Sequence, residues 1–225
     1  MTVEKDPQRI VYQGLAFAAA AALVGGLAYW MLSPGSGPDE FRRASEALRN
    51  ARSWRIEFTG TSADHMVLTG EVACPRVHMV VRRLTPPSEA FAYQEFLVID
   101  DDRFFRESAD AEWRRVEDSW GLENLCAQAR GGGGNPRFMP DYPDLLRTSA
   151  QIEKGDYKTI GGVECRVWKA THLLKAQDFQ NEEICFGVKD HLPRERVTSA
   201  GRFLYSNWNE MIEIPLPDRV RLISP

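Results

Sequence analysis

The feature that most constrains this chain is an uninterrupted apolar run, IVYQGLAFAAAAALVGGLAYWML, over residues 10–32. The run contains no charged residue. As a helix rising ~1.5 Å per residue it is about 34 Å long, enough to cross a hydrocarbon core of ~30 Å. Tyr12 lies at one end and Tyr29 and Trp30 at the other, where membrane-interface aromatics are enriched. We therefore predict a single transmembrane helix over residues 10–32.

A cleaved signal peptide is the main alternative for this run. Such a peptide has a shorter apolar core and ends in small residues at its cleavage site. Here the run ends in AYWMLSPGSG, with bulky residues in those positions, and no Cys follows directly to accept a lipid. The pattern favours an uncleaved anchor behind a short N-terminal tail, residues 1–9.

Small residues form a stripe along the predicted membrane helix. Gly14, Ala18, Ala22 and Gly26 recur every four residues and therefore share one helix face. Such stripes allow membrane helices to approach one another closely. The stripe predicts other transmembrane helices of a membrane complex as partners, besides the membrane lipid around the helix. The alternative is that a helix this rich in Ala shows the spacing by chance.

After the apolar run, the sequence predicts a linker and a short helix. SPGSGPDE (33–40) is rich in Pro, Gly and Ser, which is typical of a linker. FRRASEALRNAR (41–52) then places Phe41, Ala44 and Leu48 at helical spacing. The folded domain is therefore expected to start at Phe41 with an amphipathic helix.

The remaining pattern is that of a β-rich domain. SWRIEFTGT and the segments after it alternate with a period of two, and a helical stretch, SWGLENLCAQAR (119–130), interrupts them. The last predicted strand is RFLYSNWNEMIEI (202–214). We predict an α+β fold of about ten antiparallel strands over residues 41–217, as one large curved sheet, a sandwich or a barrel. An irregular tail follows at residues 218–225.

The four cysteines contain no CxxC pair, which argues against a zinc ribbon or a thioredoxin-type site. Cys165 and Cys185 lie on successive predicted strands that can pair as a hairpin, which brings the two thiols within reach of a disulfide. Cys74 and Cys126 are then the second pair by elimination. Free buried thiols and metal ligation are the alternatives. Disulfides form in oxidising compartments, so they favour a domain outside the cytoplasm.

The charges that flank the predicted membrane helix favour the opposite topology, with the folded domain in the cytoplasm. Lys5 and Arg9 precede the helix, whereas four Arg follow it within residues 42–52, which leans toward a cytoplasmic C-terminal part. Large folded domains, however, are translocated largely regardless of charge. We therefore follow the cysteines and predict a protein of the inner (cytoplasmic) membrane with its N-terminus in the cytoplasm and its domain on the periplasmic face.

No residue pattern indicates catalysis or cofactor binding. The four His have no ligand-like spacing, GGGGNP lacks the Gly-Lys-Ser/Thr of a phosphate-binding loop, and no GxSxG motif occurs. A net charge of −4 with both signs spread along the chain excludes the basic footprint of a nucleic-acid binder. We expect no catalytic residues, no metal and no cofactor.

Three features stand out within about residues 40–217: a short helix before SWRIEFTGT, a helical insertion after EWRRV and a late strand pair with the turn-type DHLPRERV. This order of elements resembles that of the LolA-like (outer-membrane lipoprotein carrier) superfamily. The resemblance implies a curved half-barrel sheet with helices over its open, apolar face, where family members hold acyl chains. Phe58, Leu68 and Phe96 are then expected to line an apolar cavity.

Two functions follow from these features. An uncleaved anchor prevents a protein from shuttling between membranes, so the main prediction is a non-catalytic accessory or scaffold subunit of an integral membrane complex. The alternative is a membrane-tethered domain that binds or senses a lipid or another apolar ligand.

Overall fold

The structure, a computed structural model, describes residues 37–61, 66–83, 93–117, 121–130, 138–139, 142–172 and 181–221. The predicted transmembrane helix, its small-residue stripe and its interface aromatics lie outside these ranges. Within them, no helix has both the length and the apolar character needed to span a bilayer.

The described elements are a few short helices and one large sheet. The helices are α1 (Gly37–Arg49), a 3₁₀ turn (Leu122–Asn124), α2 (Leu125–Arg130) and α3 (Tyr142–Thr148). The strands are β1 (Ser53–Gly60), β2 (Met66–Ala73), β3 (Arg76–Arg83), β4 (Tyr93–Ile99), β5 (Asp102–Arg106), β6 (Trp113–Arg115), β7 (Ser149–Ile160), β8 (Val163–His172), β9 (Asn181–Gly187), β10 (Pro193–Thr198), β11 (Gly201–Ser206) and β12 (Val220–Arg221).

All twelve strands belong to one sheet in the order β12-β6-β5-β4-β3-β2-β1-β11-β10-β9-β8-β7. Strands β1 to β6 and strands β7 to β11 each pair in succession as antiparallel neighbours. The first strand joins these two halves, because β1 pairs with both β2 and β11. The predicted mainly antiparallel sheet is therefore confirmed. Its two outermost strands, β12 and β7, stand at opposite ends of the order, so the sheet is open.

Helix α1 begins earlier than the sequence pattern predicted. It starts at Gly37, so the last four residues of the predicted linker 33–40 are helical. Asp39 and Glu40 lie in its first turn, where negative charge is favourable beside the helix N-terminus. The apolar stripe of Phe41, Ala44 and Leu48 is buried, as expected for an amphipathic helix.

The sheet buries side chains on both faces. On one face, the inward residues of the central strands form a single cluster with α1, α2 and α3; we call it the helix-covered face. On the other, the outer face, Leu97, Ile99, Phe104 and Trp113 form a second cluster with Ile214. Strand β4 contributes to both clusters, which explains why five of its seven residues are buried in succession.

The outer cluster depends on a chain segment that was predicted to be strand. Strand β11 ends at Ser206, and residues 207–219 form an irregular C-terminal segment instead of continuing as the predicted strand 202–214. Asn207 and Asn209 have φ values of 54° and 60°, a left-handed conformation that breaks an extended strand. Ile212 and Ile214 then pack against the outer face. The predicted irregular tail is also partly wrong, because Val220 pairs in parallel with Trp113.

Both predicted disulfides are present in the structure. Cys165 and Cys185 join β8 to β9 on the outer face, with a Cα–Cα distance of 5.5 Å. They are diagonal neighbours, since Val167 is the residue directly opposite Cys185. Cys74 and Cys126 join the β2–β3 turn to α2, which anchors part of the helical cover to the sheet.

Candidate functional site

The helix-covered face holds the three residues predicted to line an apolar cavity. Phe58 and Leu68 are direct cross-strand partners on β1 and β2. Phe96 lies on β4, opposite Met79 of β3. All three are buried and belong to the same cluster. The strand pairing therefore places these three side chains on one face of the sheet. The cavity that they were expected to line stays a prediction.

The absence of a side chain at Gly70 leaves space on this face for the side chain of Met79. Gly70 of β2 lies opposite Met79 in the ladder. A Cβ at Gly70 would lie 2.5 Å from the Met79 sulfur, so the methionine occupies the space that a side chain there would need. The flexible thioether thus fills the space beside Phe96 that Gly70 leaves open.

The apolar face is wider than one helix can cover. From β4 to β8, the sheet order contains eight neighbouring strands. At ~4.8 Å per strand these span about 34 Å. Helix α1 is about 20 Å long and about 10 Å wide. The cover is therefore assembled from several short elements, among them α2 and α3 with six and seven residues.

A buried ion pair interrupts the apolar face. Arg196 of β10 and Glu182 of β9 are 5% and 4% exposed, respectively. The Nε and Nη2 atoms of Arg196 donate to the two carboxylate oxygens of Glu182 at 3.1 and 2.7 Å. This bidentate geometry is the strongest form of an Arg–carboxylate contact. Arg196 is directly opposite Phe203 of β11, and its guanidinium lies 5.5 Å from that ring.

Two buried tyrosines lie near this ion pair. Burial raises the pKa of both Tyr142 and Tyr205 above the ordinary value, and the Glu182 carboxylate raises each further, against the opposing effect of Arg196. Both phenols are therefore neutral donors at physiological pH. The Tyr205 hydroxyl donates to the Phe138 carbonyl at 2.7 Å. The Tyr142 hydroxyl has no hydrogen-bond partner within the described part of the chain.

The outer face contains a different kind of polar site, centred on Glu95 of β4. This carboxylate is 4% exposed and accepts from three side chains: His78 at 2.6 Å, Tyr93 at 2.5 Å and Arg106 at 2.6 Å. Burial by itself raises the pKa of Glu95, but the hydrogen bonds from His78, Arg106 and Tyr93 outweigh it and lower the pKa to about 2. Glu95 is therefore ionised at neutral pH.

A groove of about 420 Å³ lies over this outer site, between the sheet and the C-terminal segment. Leu97 and Trp113 form part of its floor, and the Arg106 guanidinium stacks 4.4 Å from the Trp113 ring. The carboxylate at its centre already has three donors, so the site is built as a structural ion-pair network. Among the residues that the structure describes, no three His, Cys, Asp or Glu side chains are grouped to hold a metal ion.

Sequence reasoning missed the polar residues of the helix-covered face. A charged residue in a β-strand is normally on the solvent side, so neither Glu182 nor Arg196 was a candidate. The chain shifts register between Pro193 and Glu195, and this irregularity changes which β10 side chains face inward. The one available signal was that two opposite charges lie in strands adjacent in sequence.

Comparison with known proteins gives structural matches alone. No protein-family model matches the chain, and no curated protein matches it. LprF from Mycobacterium bovis matches with 13% identity and a TM-score of 0.58, over 80% of this chain and 96% of LprF. The lipoprotein LppX from Mycobacterium tuberculosis matches with 12% identity and a TM-score of 0.55, over 80% of this chain and 98% of LppX. A LolA superfamily protein from Nitrosomonas europaea matches with 11% identity and a TM-score of 0.29, over 81% of this chain and 96% of that protein.

These matches concern the fold. The chain shares its fold with LprF and LppX over 96% and 98% of their respective lengths. The LolA-like fold predicted from the order of elements is therefore confirmed. Function has to be argued from the site, because one fold hosts many functions.

Proposed function

We propose that this chain is a membrane-tethered, non-enzymatic protein that binds or senses a lipid or another apolar ligand on the helix-covered face of its sheet. The observation that carries the proposal is the composition of that face. Aromatic and aliphatic side chains cover seven strands of it, and several short helices lie over it. A broad apolar surface under a segmented cover supports binding of an apolar ligand, since the cover can move in parts while the sheet stays intact.

Lipid extraction from the full chain tests this proposal. The chain is purified from membranes in a mild detergent, extracted with organic solvent and analysed by mass spectrometry. We expect lipid in defined stoichiometry, and uptake of a fluorescent apolar dye after delipidation. A preparation that carries no lipid and takes up no dye beyond the micelle background would refute ligand binding.

Two leucines on opposite faces provide a matched test of where the ligand binds. Leu68 lies on the helix-covered face and Leu97 on the outer face, and each is 3% exposed. Leu68→Ala and Leu97→Ala should each destabilise the fold by about 2–5 kcal/mol. Only Leu68→Ala should lower dye uptake several-fold, because only that variant removes apolar lining. Equal effects of the two variants on uptake would place the ligand elsewhere.

The proposed tether is the helix at residues 10–32, and the proposed location of the domain is the periplasmic face of the inner membrane. Alkylation of thiols in the denatured full chain, with and without reductant, tests that location. Four reactive thiols without reductant would argue against an oxidising compartment. The accessory-subunit hypothesis rests on the predicted stripe and stays a prediction. Migration of the extracted chain on a native gel as a free monomer would refute it.

A further inference from the structure

Strand β7 forms a long, open edge of the sheet. It spans twelve residues and is the longest described strand, whereas the opposite edge strand, β12, spans two. Among the described residues, no strand pairs with the outer edge of β7. An edge strand presents a row of backbone donors and acceptors that can pair with another strand. The length of β7 makes it the edge at which this sheet can be extended.

A β-bulge divides β7 near its middle. From Lys154 to Tyr157 the strand advances by three residues while its neighbour β8 advances by two, so Gly155 and Asp156 together lie opposite one residue. Side chains along a regular strand alternate between the two faces of the sheet. The extra residue shifts this alternation by one position at the centre of β7.

The shift leaves β7 with the same order of faces in both directions from its centre. Glu153 and Lys158 are opposite Lys169 and Cys165 of β8, which are four residues apart, so both lie on the outer face. Lys154 and Tyr157 are opposite Trp168 and Arg166, two residues apart, so both lie on the helix-covered face. Outward from the bulge, each half of the strand therefore begins with a helix-covered position followed by an outer one.

This symmetry allows two β7 strands to pair with each other. Opposite residues in an antiparallel pair point to the same face, and a two-fold axis between Gly155 and Asp156 meets that condition on both sides of the bulge. The axis places Glu153 opposite Lys158 of the partner subunit, twice by symmetry. It also places Lys154 opposite Tyr157 of the partner subunit, a cation beside an aromatic ring.

Other registers lack this charge match. An axis moved by one residue in either direction would place Glu153 opposite Asp156 of the partner subunit, a like charge, or opposite Ile160 of the partner subunit. An axis through a residue instead of between two would place Glu153, on the outer face, opposite a residue of the helix-covered face. Opposite charges directly across two strands are favourable and like charges are unfavourable, so the sequence of β7 selects one register.

The side chains that this register uses are accessible. Glu153, Lys154, Tyr157 and Lys158 are all exposed, and Tyr157 is 53% exposed. The Lys158 ammonium lies 3.1 Å from a carboxylate oxygen of Glu195. That carboxylate also accepts from Arg202 at 2.6 Å, so it keeps a cationic donor when Lys158 turns toward a partner.

We propose that two copies of this chain pair through their β7 edges into one continuous antiparallel sheet, with Glu153 of each opposite Lys158 of the partner subunit. Backbone hydrogen bonds supply the affinity, and the two symmetric ion pairs fix the register. Exposed charges and bulges normally keep edge strands apart. Here the charges are complementary and the two bulges face each other, so neither strand has an excess residue. The inference goes beyond the proposed function and uses no property of the ligand.

Crosslinking of the full chain in mild detergent tests the register. The variants Glu153→Cys and Lys158→Cys are purified separately, mixed and oxidised with copper phenanthroline. We expect a disulfide-linked dimer on a gel without reductant, because the Cβ atoms of directly opposite residues are about 5 Å apart. Glu153→Cys by itself should form little dimer, because the two copies of position 153 are about 17 Å apart along the paired strands.

A mixture of Glu153→Cys with Gln151→Cys is the matched control. Gln151 is exposed and, like Glu153, lies on the outer face, because it is opposite Thr171, two residues from Lys169. In the proposed register, Gln151 is about 23 Å from Glu153 of the partner subunit. The control mixture should therefore give several-fold less dimer than the Glu153→Cys and Lys158→Cys mixture.

Sedimentation of the full chain in the same detergent, without crosslinking, tests the ion pairs. Glu153→Lys places a like charge opposite Lys158 of the partner subunit at two symmetric positions and should weaken dimerisation about 10-fold. Glu57→Lys makes the same charge change at an exposed position of the central strand β1 and should leave the dimer unchanged. Both positions are exposed, so neither variant should shift the urea midpoint of unfolding much.

The outcomes separate the register, the pairing and the proposed function. Equal crosslinking in the two mixtures would overturn the register. A monomer that forms no crosslink in either mixture would overturn the pairing. A dimer that Glu153→Lys does not weaken would show that another surface joins the copies, which would also overturn the inference. None of these results changes the outcome of lipid extraction, so the proposed function stands or fails separately.

Discussion

On the outer face of the sheet the buried carboxylate of Glu95 receives three hydrogen bonds, whereas on the helix-covered face the hydroxyl of Tyr142 has no partner in the described residues. A second outer-face carboxylate, Glu195, is likewise held by Lys158 at 3.1 Å and Arg202 at 2.6 Å. The two faces thus differ in how they treat buried polar atoms. Within the described residues, the two outer carboxylates are each held by several donors, whereas three aromatic donors of the helix-covered face have no partner.

This difference has a physical explanation in the ligand hypothesis. An unpaired buried donor costs about 1–3 kcal/mol, so a bound acceptor would be stabilised by the donors that lack a partner in the described residues. Nitrogens of Arg166 and Arg194 and the Ser149 hydroxyl are also without a hydrogen-bond partner in the described chain. Arg166, however, stacks 4.2 Å from the Tyr157 ring, and Arg194 is paired through another nitrogen with Asp190.

The two faces should differ most in the stability that is lost when one ion pair on each face is broken. Arg196→Met leaves the carboxylate of Glu182 buried and unpaired, which should destabilise the fold by about 3–5 kcal/mol. Arg55→Met on the outer face breaks an exposed pair with Glu71 and should have an effect of about 1 kcal/mol or less. Urea unfolding of the two variants measures the difference.

The double variant Arg196→Met with Glu182→Leu sharpens this test. Replacing both charges with apolar side chains should recover most of the lost stability, because no buried charge is left alone. A double variant as unstable as Arg196→Met would mean that the ion pair stabilises the fold beyond compensating the burial of its own two charges. Equal effects of Arg196→Met and Arg55→Met would remove the contrast altogether.

The two disulfides should differ by a smaller amount. On the chain-entropy model, the bridge across 52 residues at Cys74–Cys126 stabilises the fold by about 4 kcal/mol, and the one across 20 residues at Cys165–Cys185 by about 3 kcal/mol. Double Cys→Ala variants of each pair, unfolded in urea, check the order. Only removal of Cys74–Cys126 should also speed hydrogen exchange in α2, because that bridge ties the helical cover to the sheet. Faster exchange in α2 after removal of Cys165–Cys185 would contradict this assignment.

The acid response of the outer network provides one more test of the comparison. The folded-state pKa of Glu95, about 2, lies below its ordinary value of 4.5. Its contribution to stability is therefore present above pH 4.5 and is lost as the pH falls through about 2. The stability difference between wild type and Glu95→Gln, from urea midpoints between pH 6 and pH 2, should shrink over that window. A difference that stays constant with pH would show that the charge of Glu95 does not matter.

Much of the fold could be predicted from residue patterns. The alternation in β1 places Trp54, Ile56 and Phe58 on one face, and a side-chain period of two is a property of any extended strand. The same reasoning placed Cys165 and Cys185 within bonding distance. The helix start at Gly37 and the strand end at Ser206 were missed, because element ends depend on local conformations that pattern reasoning locates poorly.

The candidate site could be predicted only in its apolar half. The alternation in β1 predicts the face of Phe58, whereas β4 has no alternation and Phe96 was expected on this face only from the LolA-like resemblance. Burial of Arg196 and Glu182 depends on a register shift in β10 and on packing of helices that are distant in the sequence. Neither the register shift nor this packing can be predicted from a local sequence pattern.

The sequence by itself determined the strand faces, the cysteine pairing and the LolA-like order of elements, since each depends on spacing along the chain. Only the tertiary structure decided that β1 would pair with β11, that a C-terminal segment would cover the outer face, and that the Tyr142 hydroxyl would be buried without a partner among the described residues. These outcomes depend on contacts between residues far apart in the chain. The free energy of such contacts comes from burial and packing, which no short stretch of sequence contains.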